Sequence, residues 1–259
     1  MNGNQHLVGK SRAIDIEYLL SQLVPELREV ARLRFFEDLA SKGVATRLGC
    51  PTWKARKLIS ELLRTLRESC GIQVFQIARG RDVRYFPQFL SESEADLWFS
   101  RLLSEVPFHP EKVSMCGKQF VVRRQTAQYG KSYDYNPSAQ KAQPWSPLLI
   151  ELRALLEGAV RMRFESALCN FYPDGDACIG WHRDANHPKV IASLSLGAVR
   201  ELLFAEGCST HPVFRMELGH GSLVLIPLSV NERYRHMIPR SGHVTQPRIN
   251  VTFRRFGVA

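Results

Sequence analysis

Two hundred and fifty-nine residues, 44% of them hydrophobic, with 35 Lys+Arg against 25 Asp+Glu, describe a globular chain with ample core material and a net charge of +10. Ordinary glycine and proline counts (17 and 14) with 10% aromatics exclude fibrous, collagenous and wholly disordered classes. No apolar run approaches the roughly 20 residues a membrane span needs, and Met1–Arg12 is polar with no apolar stretch behind it, so no membrane partner and a cytoplasmic or nuclear location are expected. The six cysteines form no CxxC pair and read as reduced thiols. The excess positive charge suggests a polyanionic partner without saying which.

The charge is denser at the front: the first 90 residues hold 15 Lys+Arg and 9 Asp+Glu. Residues 14–70 read as helices, with an apolar cluster at Ile14–Leu20, a second helix opened by Pro25 and a third by Pro51. The third carries Leu58, Ile59, Leu62, Leu63 and Leu66 at helical spacing, Lys54, Arg56, Lys57, Arg64 and Arg67 opposite them, and Gly71 to stop it. Gly43–Leu66 thus looks like a helix-turn-helix, and Ile72–Ile77 with Val83–Phe86 around Arg79-Gly80-Arg81 supplies a candidate winged hairpin. A plain helical packing domain fits the same pattern. From about Arg81 the chain changes to short strand-like runs with two helices, Ser91–Glu105, opened by a Ser91/Glu94 capping box, and Ser146–Ala159. Phe120–Arg124 reads as a strand and Gln125–Pro147 as a polar loop rich in Tyr, Lys and Gln. Val190–Leu196, Glu201–Phe204, Val213–Leu218, Ser222–Pro227 and Arg248–Phe256 are strand-length runs that point to an antiparallel sandwich or barrel. The expected organisation is α+β: a helical, winged-helix-like region over 1–80, then one domain over 81–259.

His182-Arg183-Asp184 places an imidazole and a carboxylate at i and i+2, on one face of an extended chain. A second histidine from a distant strand completes a set of two His and one carboxylate, which leaves adjacent coordination positions open and suits Fe(II) oxygenase chemistry. His236 lies 54 residues downstream, a workable separation for two strands of a jelly roll; His187, beside Pro188, is the rival and reads better as a loop residue. On the terminal strand Arg248, Asn250, Thr252 and Arg254 share one face and Ile249, Val251 and Phe253 the other. Two guanidiniums six residues apart make a cradle for a small dianion; a solvated edge strand is the alternative. Asn170 and Tyr172 repeat the i, i+2 pattern before the turn Pro173-Asp174-Gly175-Asp176.

The order Asn170-Phe171-Tyr172, Gly175, His182-Arg183-Asp184, Ala192–Ala198, His236, Pro239 and Arg248–Arg254 resembles the AlkB family of Fe(II)- and 2-oxoglutarate-dependent dioxygenases, over about residues 83–256 and closest to the nucleic-acid repair branch. The resemblance implies a double-stranded β-helix, a jelly roll with flanking helices. It implies iron held by His182, Asp184 and His236, and Arg248 gripping the distal carboxylate of 2-oxoglutarate, with Asn170, Tyr172, Thr252 and Arg254 completing the pocket and Asn250 nearby. The implied reaction consumes O₂ and 2-oxoglutarate and releases succinate, CO₂ and formaldehyde from an N-alkylated base in DNA or RNA. Bases must leave their stack to be reached, and Arg123, Arg124, Tyr129, Lys131, Tyr133 and Tyr135 match the family's substrate lid. After the HxD motif stands Ala185-Asn186, where similar repair members carry an acidic residue; Asn186 can hydrogen-bond a base edge but lacks attraction for a cationic lesion. A dioxygenase acting on a modified RNA base, a protein or another small substrate, and a DNA-binding regulator with a sensing barrel, remain alternatives. Nothing in the sequence fixes the oligomeric state, and a monomer is the default.

Overall fold

The structure, a computed structural model, describes residues 20–69, 71–78, 81–115, 118–131 and 141–257. The chain divides into two compact units at Ile72/Gln73. In the first, helix α1 (Pro25–Ala31) runs into a π-helical turn (Arg32–Phe36), followed by α2 (Ser41–Arg47) and α3 (Thr52–Ser69). Pro25 stands at the start of α1, where its missing N–H costs nothing. Gly49, at φ +60, takes the left-handed conformation that turns the chain from α2 into α3. Leu27, Val30, Leu33, Val44, Ala55, Leu58 and Leu62 form the buried core of this unit. The apolar cluster expected over Ile14–Leu19 lies outside the described residues.

The second unit contains an eight-stranded and a four-stranded antiparallel sheet. The larger is ordered β1 (Gln73–Ala78), β2 (Arg81–Phe86), β10 (Ser222–Pro227), β7 (Val190–Gly197), β12 (Arg248–Arg255), β5 (Ser166–Tyr172), β4 (Lys118–Gly130), β3 (His109–Met115). The smaller is β6 (Ile179–His182), β11 (Tyr234–Ile238), β8 (Arg200–Glu206), β9 (Phe214–Leu218). Helices α4 (Glu92–Glu105) and α5 (Pro147–Val160) cover the outer face of the large sheet through Trp98, Leu102, Leu149 and Leu152. The Ser91 capping box is present: the Ser91 N–H donates to Glu94 Oε2 at 2.8 Å and the Ser91 hydroxyl accepts from the Glu94 N–H. Among the described residues no helix is long and apolar enough to cross a membrane.

Strand β12 shows how the sequence builds this arrangement. It lies between β7 and β5, not at an edge, and every residue from Arg248 to Arg254 is buried. Its odd-numbered residues Ile249, Val251 and Phe253 pack beneath the helices, where burial stabilises by about 2 kcal/mol each. Its even-numbered residues face the space between the sheets, where a second core of Phe204, Leu218, Val224 and Ile238 leaves room for a polar site at one end.

Two expectations are corrected. The hairpin β1–β2 is no wing on the helical unit: β2 pairs with β10, and Val83 and Tyr85 drive into the core between the sheets, so the unit boundary falls at Ile72/Gln73 instead of at residue 80. The strand expected to end at Arg124 continues to Gly130 as the partner of β5. Its Thr126 and Gln128 are buried polar residues, and that is why the run looked like a loop.

Candidate active site

Strands β6 and β11 pair with His182 directly opposite His236, and their rings lie 4.3 Å apart centre to centre. The chain leaves β6 after His182 and brings Asp184 beneath both rings: Asp184 Oδ1 is 3.7 Å from His182 Nε2 and 3.9 Å from His236 Nε2. One donor atom from each of the three lies within 4.8 Å of the others, a set that can hold one ion. The His182 Nδ1 faces the Gly180 carbonyl oxygen at 2.9 Å, which fixes the tautomer and turns the Nε2 lone pair toward the centre. The rival, His187, is exposed in the turn after the motif at φ 45, beside Glu232.

The Asp184 backbone is clamped from both sides by one residue that sequence reasoning missed. Its N–H donates to Asn231 Oδ1 at 3.0 Å, and Asn231 Nδ2 donates back to its carbonyl at 2.9 Å. Asn231 ends the short helix α6 (Leu228–Asn231) and is buried. Nothing in its neighbourhood of sequence marks it, because its partner is a backbone 47 residues away. Asn231→Ala is expected to keep the fold and to weaken iron affinity by about 10- to 100-fold, the usual cost of losing a group that orients a ligand; a metal titration followed by a binding-sensitive spectrum checks it.

Electrostatics set the charge states. Burial raises the Asp184 carboxyl, but the Arg254 guanidinium and the two imidazoles outweigh it and bring it down to about 2. Arg254 Nε donates to Asp184 Oδ2 at 2.7 Å and leaves Oδ1 for the centre. Burial, then the neighbouring His182, pushes His236 down to about 3, and His182 is lowered as well, by burial first. At neutral pH the triad is therefore two neutral imidazoles and one carboxylate, the donor set a divalent first-row metal requires.

Beside the triad, the polar face of β12 meets those of β5 and β7. Asn250 donates to Ser193 Oγ at 2.8 Å and to the Leu194 carbonyl at 2.9 Å, and accepts from the Thr252 hydroxyl at 2.9 Å and from Asn170 Nδ2 at 3.3 Å. Arg248 is 1% exposed, lies 5.0 Å from the Tyr172 ring and donates through Nη2 to Ser195 Oγ at 2.9 Å. Its Nε and Nη1 are buried with no hydrogen-bond partner. A buried guanidinium with two idle donors is costly by itself and well matched to a carboxylate. Burial also lowers its pKa, a penalty an anion would offset. Arg200, likewise unforeseen, also lies over the Tyr172 ring, at 5.7 Å, and donates to the carbonyls of Ala177 (3.0 Å), Asp174 and Gly175 (both 3.3 Å) and to that of Pro239. It fastens the loop before β6 to the loop after β11. Gly175 completes that fastening, its N–H donating to the Val244 carbonyl at 2.8 Å; a Cβ there would stand 1.9 Å from the Ser241 oxygen. Gly175→Ala is expected to lower the melting temperature and loosen metal binding together; a variant equal to wild type in both would show that this junction does not hold the site.

The expected lid residues separate. Arg124 lines the pocket but is buried in an ion pair with Glu111 and donates to Asn170, so it is part of the site's wall and not of an exposed basic track. Tyr129 is corrected: it lies on the opposite face of β4 from Arg124, packed under the helices and 2% exposed, which makes it core and no base platform. Arg123 is exposed and paired with Asp174, and Lys131 sits over the Phe256 ring at 5.3 Å. Asn186 is exposed in a left-handed turn at φ 58, two residues from Asp184 and outside the pocket lining. Tyr133 and Tyr135 lie outside the described residues.

A jelly roll with this triad defines a class, and residues 82–254 match the family model of the 2OG-Fe(II) oxygenase superfamily. The human DNA oxidative demethylase ALKBH2 is 33% identical over 195 residues, covering 69% of this chain and 74% of that protein. Alpha-ketoglutarate-dependent dioxygenase alkB homolog 3 of Mus musculus is 32% identical over 184 residues, 65% of this chain and 64% of its own. The solved structure of OsALKBH1 superposes with a TM-score of 0.54 at 15% identity, over 71% of this chain and 99% of that one, a likeness of fold. The chain belongs to the AlkB family of Fe(II)- and 2-oxoglutarate-dependent dioxygenases, and its cofactors are Fe(II), 2-oxoglutarate and O₂.

Proposed function

We propose that the chain oxidatively removes N-linked alkyl groups from nucleobases of DNA or RNA, releasing formaldehyde from a methyl group. The single observation that carries the cosubstrate assignment is Arg248, which lines the same space between the sheets as the triad and has two buried donors without a partner. The similarity to a protein named as a DNA oxidative demethylase supports the substrate class. Bound Fe(II), with 2-oxoglutarate and O₂, would supply insertion of one oxygen atom at the N-alkyl carbon, the other oxygen atom entering succinate as CO₂ is lost. The chain's own residues bind and orient. His182, Asp184 and His236 would hold the metal; Arg254 and Asn231 fix Asp184; Arg248, with Ser195 and Tyr172 beside it, would take the distal carboxylate; Asn170, Asn250 and Thr252 form a polar wall of the same pocket. Glu111 neutralises Arg124, so the wall next to Asn170 presents no bare cation to an incoming base. Mass spectrometry of methylated single- and double-stranded oligonucleotides tests the reading. Loss of the methyl mass that requires both iron and 2-oxoglutarate is expected; loss from a modified protein or small molecule, with oligonucleotides untouched, would replace the substrate class.

A further inference from the structure

The helical unit lies outside the family match, and none of the chemistry above uses it. Its helix α3 is asymmetric in a way that packing alone does not require. Ala55, Leu58 and Leu62 are buried, with Ile59 and Leu66 beside them. On the opposite side, at helical spacing, stand Trp53, Arg56, Lys57, Ser60, Arg64 and Arg67, all exposed. The acidic residues of the helix, Glu61 and Glu68, fall to one flank. From Trp53 to Arg67 this stripe runs about 21 Å along the axis, at 1.5 Å per residue. Arg64 pairs with Glu68, and Lys54, off the stripe, approaches Glu26 at 3.8 Å; Arg56, Lys57 and Arg67 have no ion pair among the described residues. Trp53, 67% exposed, is a large aromatic held in water at the N-terminal end of the stripe. Helix α2 packs against α3 across a four-residue turn that needs the left-handed Gly49, the connection of a helix-turn-helix.

We propose that this face of α3 is a second nucleic-acid site, a docking surface for double-stranded B-form DNA. Its three unpaired cations meet phosphates, and Trp53 and Ser60 lie toward the groove. The duplex is preferred to RNA on geometry: the B-form major groove, about 12 Å wide, admits a helix, whereas the A-form major groove is too narrow for side chains to read. The proposal stands apart from the catalytic reading, since it concerns undamaged DNA and residues outside the oxygenase domain.

The test measures binding of the full chain to a short unmodified duplex at a series of salt concentrations, alongside turnover on a methylated trinucleotide, which is too short to form a stable duplex. Arg56→Glu/Lys57→Glu/Arg67→Glu is expected to weaken duplex binding at least tenfold and to reduce the salt slope by about 2 to 3, at roughly 0.9 per phosphate contact. Arg56→Lys/Arg67→Lys, which keeps the charges, should bind close to wild type, and trinucleotide turnover should be unchanged in both. Equal affinity and slope for the charge-reversed variant, no duplex binding by wild type, or tighter binding of an A-form RNA duplex would each overturn the proposal. If no methylated substrate turns over while duplex binding still depends on these charges, the catalytic reading fails and this one stands.

Discussion

Asp184→Asn is expected to abolish turnover while leaving the shape of the site unchanged. The carboxylate is the one anionic donor of the triad, held ionised near pKa 2 against the cost of burial by Arg254 and the two imidazoles. An amide of equal size keeps a hydrogen bond to Arg254 but offers the metal no charge. Asp184→Ala carries a second, separable effect. Asp184 and Arg254 are each 3% exposed in their side chains, so removing the acid strands a buried guanidinium, at about 3–5 kcal/mol of stability. Adding Arg254→Met should recover most of that stability and none of the activity. Thermal unfolding and succinate formation measured on the three variants separate the two roles; turnover retained by Asp184→Asn would remove Asp184 from the metal site.

The second large effect concerns the cosubstrate. Arg248→Ala is expected to raise the KM for 2-oxoglutarate by at least about 100-fold, about 2.8 kcal/mol at 1.4 kcal/mol per tenfold. Arg248 sits opposite Tyr172 and Gly197 on neighbouring strands, its hydrogen bond to Ser195 fixes the guanidinium plane, and its remaining donors have no protein partner to fall back on. Arg248→Lys should recover little, because a lysine presents one point charge in place of a planar fork. A KM for 2-oxoglutarate equal to wild type in Arg248→Ala would place the distal carboxylate elsewhere. Iron affinity, read in the same protein, should stay unchanged, since Arg248 does not touch the triad's donors.

The residues that carry chemistry were legible where their spacing and their chemical type coincide. The HxD spacing marks His182 and Asp184 as partners, although β6 ends at His182 and Asp184 reaches the centre from just beyond the strand, and the alternation of Arg248, Asn250, Thr252 and Arg254 with Ile249, Val251 and Phe253 displays a strand with two different buried faces. The edge-strand alternative failed because β12 is paired on both sides. Strand β4 differs from its sequence expectation for the converse reason: Arg124, Thr126 and Gln128 are polar yet buried, Arg124 in the pocket wall, and composition alone cannot distinguish a polar buried face from one in water. Tyr129 then went to the wrong surface, since its face follows from β4 pairing with β5, a long-range fact. Asn231, Glu111 and Arg200 were invisible for the same cause. Each acts on a backbone or a charge far away in sequence, and no local pattern announces such a partner. The hairpin β1–β2 was locally legible and globally misplaced, because a hairpin's strand signal does not say which sheet edge it joins.

A single site that couples consumption of 2-oxoglutarate to dealkylation of a base makes formaldehyde and succinate together. The most direct measurement is the ratio of formaldehyde to succinate produced with Fe(II), O₂ and a methylated oligonucleotide, with the unmethylated oligonucleotide as control. Succinate formation stimulated by the methylated strand and a ratio near one are expected, both lost in Asp184→Asn. Succinate formed at the same rate with either strand, and no formaldehyde, would contradict that coupling.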